Sequence, residues 1–236
     1  MSKTYIIIKI GGSLLFRKDD KIDSQKIEKL CNILKNNTRE EYPLIVVGGG
    51  AIARNYINFV RKYTNNEALC DLFGIEISRL NAKLFISYLE DLAYPLVPKS
   101  IEELSIAQIS NKIIVMGGLQ PGQSTTSVAL EVAEFVKAKK TIILTDVEGV
   151  FDKDPHKYKD ATLLENIDYN QLTDLIIKNS SSEQAAAGEY RIFDVVSLQI
   201  LKRSKIEVMV GSGLNLKNFE RFWNGKLDNI GTIISN

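Results

Sequence analysis

Short apolar runs alternate with helix-length segments along this chain. The runs are nearly continuous in apolar, β-branched residues, as in Tyr5–Ile10. Such runs are typical of strands buried on both faces of a sheet. The intervening segments repeat apolar residues every three or four positions, as expected of helices with one buried face. Strands that alternate with helices predict an α/β protein, with a mainly parallel sheet covered on both faces.

The same pattern places the individual elements. Strands are expected at residues 5–10, 44–47, 93–97, 112–116, 141–145 and 207–210, with 232–234 as an edge strand. Helices are expected from Asp23-Ser24 onward and at 51–63, 69–92, 101–109, 127–138, 170–178, 189–204 and 216–223. In the 69–92 helix, the residues expected to face inward are Leu72, Ile75, Leu80, Leu84 and Tyr88. Because no repeat or long linker divides the chain, residues 1–236 are expected to form one domain.

Composition limits the kinds of molecule that this protein is expected to bind. The chain has 236 residues and a formal net charge of +1, so nothing predicts binding to duplex nucleic acid or to an anionic membrane. Cys31 and Cys70 lie in apolar helical patterns without metal-ligand spacing, which favours buried thiols in a reducing compartment. No signal-peptide pattern and no apolar run approaching ~18 residues is present, so a cytoplasmic location is expected.

A glycine-rich stretch at 117–126 leads from a predicted strand into a predicted helix. Unpaired backbone amides at such a helix start suit a phosphate group. Gly117, Gly122 and Ser124 fit the P-loop spacing, but Gln123 stands where that pattern has lysine. This loop could therefore cradle a phosphate without neutralising it, and by itself it could equally be a simple turn.

Three predicted strand ends carry glycines: Gly11-Gly12, residues 48–50, and residues 117–122. A fourth, after residue 145, carries an acidic loop. Since the carboxyl ends of parallel strands meet at one edge of a sheet, the sequence predicts a site there for more than one phosphate.

These motifs together resemble the amino-acid kinase superfamily, and within it the archaeal type of UMP kinase. The resemblance rests on residues 9–13, 48–50 with Ala53-Arg54, 71–75, 78–82, 117–126, 145–151 with Asp154-Pro155, 187–190 and 203–206. It implies a three-layer α/β/α sandwich, a homohexamer, and transfer of the γ-phosphate of ATP to UMP with Mg²⁺.

The resemblance also implies which residues bind each nucleotide. The UMP site would use Gly49, Asp71, Leu119, Gln120, Pro121, Gly122, Gln123, Ser124 and Thr125. The ATP site would use Gly12, Ser13, Gly50, Arg54, Thr145, Asp146, Phe151 and Asp154. No residue is assigned as a metal ligand.

The chemistry of these residue types agrees with the implied roles. The phosphate oxygen of UMP is already ionised near neutral pH, so catalysis needs positioning and charge neutralisation rather than a general base. Lys9 can supply the cation that Gln123 does not, and we interpret it as the catalytic residue. The Asp71 carboxylate could accept hydrogen bonds from both ribose hydroxyls, which would disfavour deoxyribose.

Other interpretations remain open at this point. Another kinase of the superfamily could act on isopentenyl phosphate or a carbamate-like acceptor, although residues 51–54 lack the histidine that isopentenyl phosphate kinases place there. A non-catalytic nucleotide sensor is a second alternative. Phe151 stands where a tyrosine is usual and Asp146 where many relatives have asparagine, which bears on the choice of triphosphate donor.

Overall fold

The computed structural model describes residues 4–36, 41–180 and 192–236. These residues contain a sheet of seven strands. The strands are β1 (Tyr5–Ile10), β2 (Tyr42–Val47), β3 (Ile114–Met116), β4 (Lys140–Thr145), β5 (Asn166–Asp168), β6 (Glu207–Ser212) and β7 (Gly231–Ser235). Their order is β3-β2-β1-β4-β6-β7-β5, and every neighbouring pair is parallel except β6 and β7. The predicted mainly parallel α/β architecture is confirmed.

Helices cover both faces of this sheet, which gives three layers. They are α1 (Ser24–Lys35), α2 (Gly50–Arg61), α3 (Glu67–Leu89), α4 (Ile101–Ala107), α5 (Thr125–Phe135), α6 (Tyr169–Ser180), α7 (Val195–Ser204) and α8 (Lys217–Trp223). The core on one face contains side chains of α1, α3 and α8. The cores on the other face contain side chains of α4 to α7.

The central strand β1 places Lys9 on a defined face. Alternate residues of a strand point to opposite sides of a sheet. Ile6, Ile8 and Ile10 lie in the core with α1 and α3, whereas Tyr5 and Ile7 lie in the core with α4 and α5. Lys9 therefore belongs to the face that α5 covers.

Two strand predictions are wrong. Residues 93–97 form no strand; only Ala93 pairs, as a single bridge with Ile113. Pro95 and Pro98 supply no backbone N–H, so this segment cannot continue a ladder. The C-terminal strand β7 is not an edge strand, because it lies between β6 and β5. β5, which has only one buried residue, was missed.

Helix predictions differ mainly at the ends and in which residues face inward. In α3, Leu72 and Leu80 are exposed, because the buried face is formed largely by Cys70, Ser78, Asn81, Ala82, Phe85 and Leu89. α5 begins at Thr125 rather than 127 because Ser124 caps it, and Phe135 is exposed. α7 begins at Val195 rather than 189, because Asp194 is its N-cap. Residues 187–190 lie outside the described residues.

Cys31 and Cys70 are free and buried, as predicted. Among the described helices, none combines the length and the apolar character that a bilayer span requires.

Exposed apolar side chains gather on the outer surface of α2 and α3. This α2–α3 apolar face consists of Tyr56, Phe59, Tyr63, Leu69, Leu72, Phe73 and Leu80. Tyr56 and Phe73 stack with their ring centroids 6.4 Å apart, so the two helices contribute to one continuous surface. Arg61 binds Glu67 through two N–H···O bonds of 2.8 Å and fixes the connection between the helices.

Candidate active site

The loops that follow β1, β2, β4 and β6 are held side by side at the carboxyl edge of the sheet. The Gly11 amide donates to the Leu144 carbonyl at 2.8 Å, and the Gly48 amide donates to the Ile10 carbonyl at 2.9 Å. The Gly213 amide donates to the Thr145 carbonyl at 2.6 Å. These bonds continue the strand ladders past the strand ends, so three of the loops that were predicted to converge, those after β1, β2 and β4, do meet at this edge.

The first two glycine-rich loops touch through their backbones. A Cβ on Gly12 would lie only 2.1 Å from the Gly50 amide nitrogen, and one on Gly50 would lie 2.3 Å from the Gly12 carbonyl oxygen. Gly50 also has a φ of +70°, a conformation that residues with side chains rarely adopt. Only glycine fits at either position, and Gly50 begins α2 with its amides unpaired by any side-chain cap.

Lys9 lies near this contact, at the penultimate position of β1. Its side chain is half-buried and forms no ion pair with a residue in the described ranges. Burial lowers the pKa of Lys9 to about 8, and the nearby Asp146 carboxylate acts in the opposite direction by favouring the ammonium. The site thus holds a partly desolvated cation that would gain from an anion placed beside it.

Two further predicted residues accompany this centre. Ser13 lies in the short 3-10 helix Gly12–Leu15, directly after β1. Arg54 lies in the second turn of α2, half-buried, and pairs with no carboxylate among the residues that the structure describes. Both lie on elements that start from the contact between Gly12 and Gly50.

The 119–125 loop lies against α3. An oxygen of the Asp71 carboxylate accepts the Gly122 amide at 2.8 Å. The Arg79 guanidinium donates to the Gly118 carbonyl at 3.0 Å and to the Leu119 carbonyl at 3.1 Å. Asp71 is in the second turn of α3 and is not its N-cap, since Asn66 caps the helix. Its carboxylate is therefore available to the loop.

The other end of the 119–125 loop is the N-terminus of α5. The Ser124 hydroxyl accepts the Ser127 amide at 3.1 Å and caps the helix. The Thr125 hydroxyl lies against Gly48, so the start of α5 meets the second glycine-rich loop. The Gln123 side-chain amide donates to Glu131 at 2.8 Å, whereas Gln120 and Pro121 are exposed.

The acidic loop after β4 begins at the same sheet edge and then forms contacts within itself. The Thr145 hydroxyl donates to the adjacent Asp146 carboxylate at 3.2 Å at the sheet edge. Phe151 pairs with Leu163 in a single bridge, and the Asp154 carboxylate accepts the His156 amide at 2.9 Å within a turn. In the ranges that the structure describes, no hydrogen bond of Phe151 or Asp154 reaches Gly12 or Gly50.

Three residues of α3 that were assigned no role connect the loops. The buried Asn81 amide donates to the carbonyls of Gly48 and Gly49, at 2.9 and 3.1 Å. The buried Ser78 hydroxyl accepts the Gly118 amide at 2.7 Å, next to the contacts of Arg79. The sequence signal that could have identified these residues is the presence of polar side chains on the apolar face of a helix, because buried polar groups need hydrogen-bond partners.

The described residues contain no group of three or more His, Cys, Asp or Glu side chains placed to hold a metal ion. Mg²⁺ commonly retains several waters and binds through substrate phosphates with one or two carboxylates. At this sheet edge, the Asp146 carboxylate accepts a hydrogen bond from the Thr145 hydroxyl directly after β4.

Comparison with known proteins places the chain in a family. The model of the amino acid kinase family matches residues 4–212. The chain is 40% identical to the uridylate kinase of Methanobrevibacter smithii over 221 residues, covering 94% of this chain and 95% of that protein. It is 39% identical over 230 residues to the uridylate kinase of Sulfurisphaera tokodaii, covering 97% and 98%. The crystal structure of the uridylate kinase from Archaeoglobus fulgidus superposes with a TM-score of 0.81 at 30% identity, covering 98% of this chain and 100% of that one. The chain therefore belongs to the amino acid kinase family.

Proposed function

We infer that this protein is a nucleoside monophosphate kinase that transfers the γ-phosphate of ATP to UMP. One observation carries the inference. Lys9 is the penultimate residue of the strand that leads into the contact between Gly12 and Gly50, on the sheet face covered by α5, whose start carries Ser124 and Thr125. We propose that the Lys9 ammonium lies between the donor and acceptor phosphates. The uridylate kinases at 39–40% identity support UMP as acceptor.

We propose that ATP binds on the side of Gly12 and Gly50. The absence of a Cβ at both positions brings backbone amides close to phosphate oxygens. Arg54 adds a cation on the first turns of α2, and Ser13 adds a hydroxyl. Thr145 and Asp146 would contact the nucleoside, with the Phe151 ring against its base and Asp154 nearby. Mg²⁺ would enter with ATP, and it would neutralise phosphate charge when bound.

UMP is proposed to bind between Gly49, Asp71 and the 119–125 loop. One Asp71 oxygen already accepts the Gly122 amide, so the other remains for the ribose hydroxyls. The remaining contacts would come from Leu119, Gln120, Pro121, Gln123 and the hydroxyls of Ser124 and Thr125. Arg79 and Ser78 hold this loop on α3 before UMP arrives, which reduces the entropy lost on binding.

The proposed reaction is an in-line transfer between two anions. An ionised UMP phosphate oxygen attacks the γ-phosphorus of ATP, the bond to the bridging oxygen breaks, and ADP leaves. No proton has to be removed from the nucleophile. Lys9 would contact the transferring phosphoryl group and offset the charge that accumulates there.

Further proposals concern the assembly and the setting of the enzyme. We propose that residues 1–236 act as one catalytic domain and that six chains form a homohexamer, as the family resemblance implies. The α2–α3 apolar face supports self-association, because contiguous exposed apolar surface of this kind is common at interfaces. A cytoplasmic location fits the two free, buried cysteines.

A coupled assay of ADP release tests the function. ATP and Mg²⁺ are supplied with UMP, CMP, dUMP, AMP or isopentenyl phosphate, and UMP is expected to give the highest kcat/KM. Turnover no faster with UMP than with the other acceptors would contradict the proposal. If no acceptor reacts while ATP still raises the melting temperature, a nucleotide sensor is the better description.

A further inference from the structure

Asp194 joins the start of α7 to the start of α5. One oxygen of its carboxylate accepts the Ser127 hydroxyl at 2.6 Å and the Ser197 amide at 2.7 Å. The other oxygen accepts the Ser124 amide at 3.2 Å. Two helix N-termini therefore share one carboxylate, and one of them is the end of the 119–125 loop.

The surroundings of this carboxylate show that the link is built into the fold. Ser127 and Ser197 are completely buried. Burial by itself would raise the pKa of Asp194, but the hydrogen bonds from Ser124, Ser127 and Ser197 lower it overall, so the carboxylate is ionised at neutral pH. Hydrogen bonds to a charged acceptor are shorter and stronger than neutral ones.

The bond to Ser124 serves the loop rather than α7. Asp194 already caps α7 through the Ser197 amide, and the Ser197 hydroxyl completes a capping box with the Asp194 amide. α7 would remain capped without the contact to Ser124. Ser124 and Thr125 supply hydroxyls to the proposed UMP site, so their position depends on where the start of α5 is held.

We propose that Asp194 is a positioning residue for the acceptor nucleotide: its carboxylate fixes the junction of the 119–125 loop and α5 so that the loop is ready to bind UMP. This inference rests on the proposed function of the site. Asp194 acts through Ser124 and Ser127 and is not itself a catalytic residue.

The test is Asp194→Asn. Asparagine caps helices about as well as aspartate does. The asparagine oxygen can keep the bonds from the Ser127 hydroxyl and the Ser197 amide. Its NH₂ group then faces the Ser124 amide, and because both groups are donors, that hydrogen bond is lost. KM for UMP is expected to rise about tenfold, the effect of losing one charged hydrogen bond, with KM for ATP changed less than about twofold. Calorimetric titration of UMP without ATP should show the same loss of affinity.

A matched control removes a different contact between α5 and α7, at the other end of the two helices. Arg203 on α7 binds Glu134 on α5, with 2.9 Å between Nε and Oε1, far along both helices from Ser124. Glu134→Gln weakens this link between α5 and α7, yet it should leave both KM values unchanged. If Asp194→Asn and Glu134→Gln alter KM for UMP equally, or if Asp194→Asn raises both KM values in parallel, the carboxylate is only structural and the inference is wrong.

A second variant keeps the inference testable if Asp194→Asn does not fold. Ser127→Ala removes the hydroxyl that binds the same carboxylate and should raise KM for UMP by several-fold. An unchanged KM for UMP in Ser127→Ala would overturn the inference. Where Asp194→Asn does fold, the effects of the two substitutions should be less than additive in a double mutant, because they remove parts of one link. Fully additive effects would overturn the inference. If wild type itself does not phosphorylate UMP, the proposed function fails instead.

Discussion

The ammonium of Lys9 is half-buried at the end of β1, and burial lowers its pKa to about 8. Asp146 limits the shift but forms no ion pair with Lys9 among the described residues, so the charge is only partly compensated. A protein that keeps such a group sacrifices some stability, since a desolvated cation is unfavourable without an anion. The phosphates of the proposed substrates would supply that anion.

Replacing Lys9 tests its role in the reaction. Lys9→Met keeps most of the length of the side chain and removes the charge. We expect kcat to fall by about 10² or more while UMP binding changes little, because the charge acts mainly in the transition state. Steady-state kinetics and UMP titration measure the two effects. Unchanged kcat would remove Lys9 from the mechanism. Thermal unfolding provides the control, since removing a desolvated ammonium should not lower the melting temperature at pH 7.

The lowered pKa of Lys9 predicts a pH dependence. In the proposed mechanism the active form is the ammonium, which predominates below the folded pKa of about 8 and is lost as pH rises through it. The kcat/KM for ATP, which reports the enzyme before ATP binds, should therefore decline above pH 8. Bound phosphates favour the ammonium, so the decline in kcat should occur at higher pH.

Profiles of kcat/KM for ATP and of kcat between pH 6.5 and 9 would show where each begins to decline. Lys9→Arg carries a charge that does not titrate in this range. It should lose the alkaline limb even if its kcat is low. An alkaline limb that persists in Lys9→Arg would assign the titration to another group.

Asp71 provides a test of sugar recognition. Asp71→Asn can keep the bond to the Gly122 amide through its remaining carbonyl oxygen. Its NH₂ group would then face the ribose, where it can donate but not accept. The preference for UMP over dUMP, measured as a ratio of kcat/KM values, should narrow by about tenfold. Lys83→Ala, an exposed change on the same helix, is the control. Unchanged discrimination in Asp71→Asn would refute the ribose assignment.

At the scale of elements, the site depends on how closely strand-end loops approach each other. The loop after β1 and the loop after β2 meet backbone to backbone, and Asn81 of α3 holds the second loop from the other side. α3 also holds the 119–125 loop through Asp71, Ser78 and Arg79. This one helix thus sets the relative positions of both proposed nucleotide sites.

Two glycine substitutions distinguish the two reasons for which a glycine is required here: the close approach of another backbone and a positive φ. In Gly12→Ala, the new Cβ would lie 2.1 Å from the Gly50 nitrogen, so the two loops must separate. A displacement of this size should lower kcat/KM for ATP by at least about 10². In Gly122→Ala, no atom lies within 4 Å of the new Cβ, although φ is +78°. The strain should amount to about 1–2 kcal/mol.

Circular dichroism would establish that both glycine variants are folded before their kinetics are compared. Gly122→Ala should retain KM for ATP, because its loop belongs to the proposed acceptor site. Near wild-type kinetics in Gly12→Ala would show that the contact between the loops is not needed for the donor site.

At the scale of the whole molecule, the α2–α3 apolar face should hold chains together. Phe59 is 62% exposed on this face, whereas Ile177 on α6 is 61% exposed elsewhere. We expect wild type to sediment as a hexamer. Phe59→Glu should shift it to smaller species, because burying a charge at an interface is unfavourable. Ile177→Glu is the matched control and should leave the assembly intact.

Analytical ultracentrifugation distinguishes these outcomes. A wild-type monomer would refute self-association. A hexamer that survives Phe59→Glu would place the interface on another part of the surface.

Much of this molecule followed from the sequence alone, because the relevant signals are local. Apolar runs in β1 and β4 predicted strands that are buried on both faces. Glycines after β1, β2 and β3 predicted loops that lie too close to their neighbours to hold a side chain. Parallel strands have their carboxyl ends at one edge, so the convergence of these loops followed without coordinates. The Gly12 loop meets the Gly50 loop, and Thr125 meets Gly48, while the nucleotide-binding roles of the predicted site residues stay a prediction.

The tertiary structure decided which distant groups meet, because periodicity reports that a residue is buried but not what it contacts. β7 pairs with β5, which precedes it by about sixty residues, so no local pattern could place it inside the sheet. Asn81 reaches the loop after β2, and Asp194 reaches Ser124 across seventy positions. Each is a polar group whose burial requires a partner, and only the packing of helices on the sheet determines which partner that is.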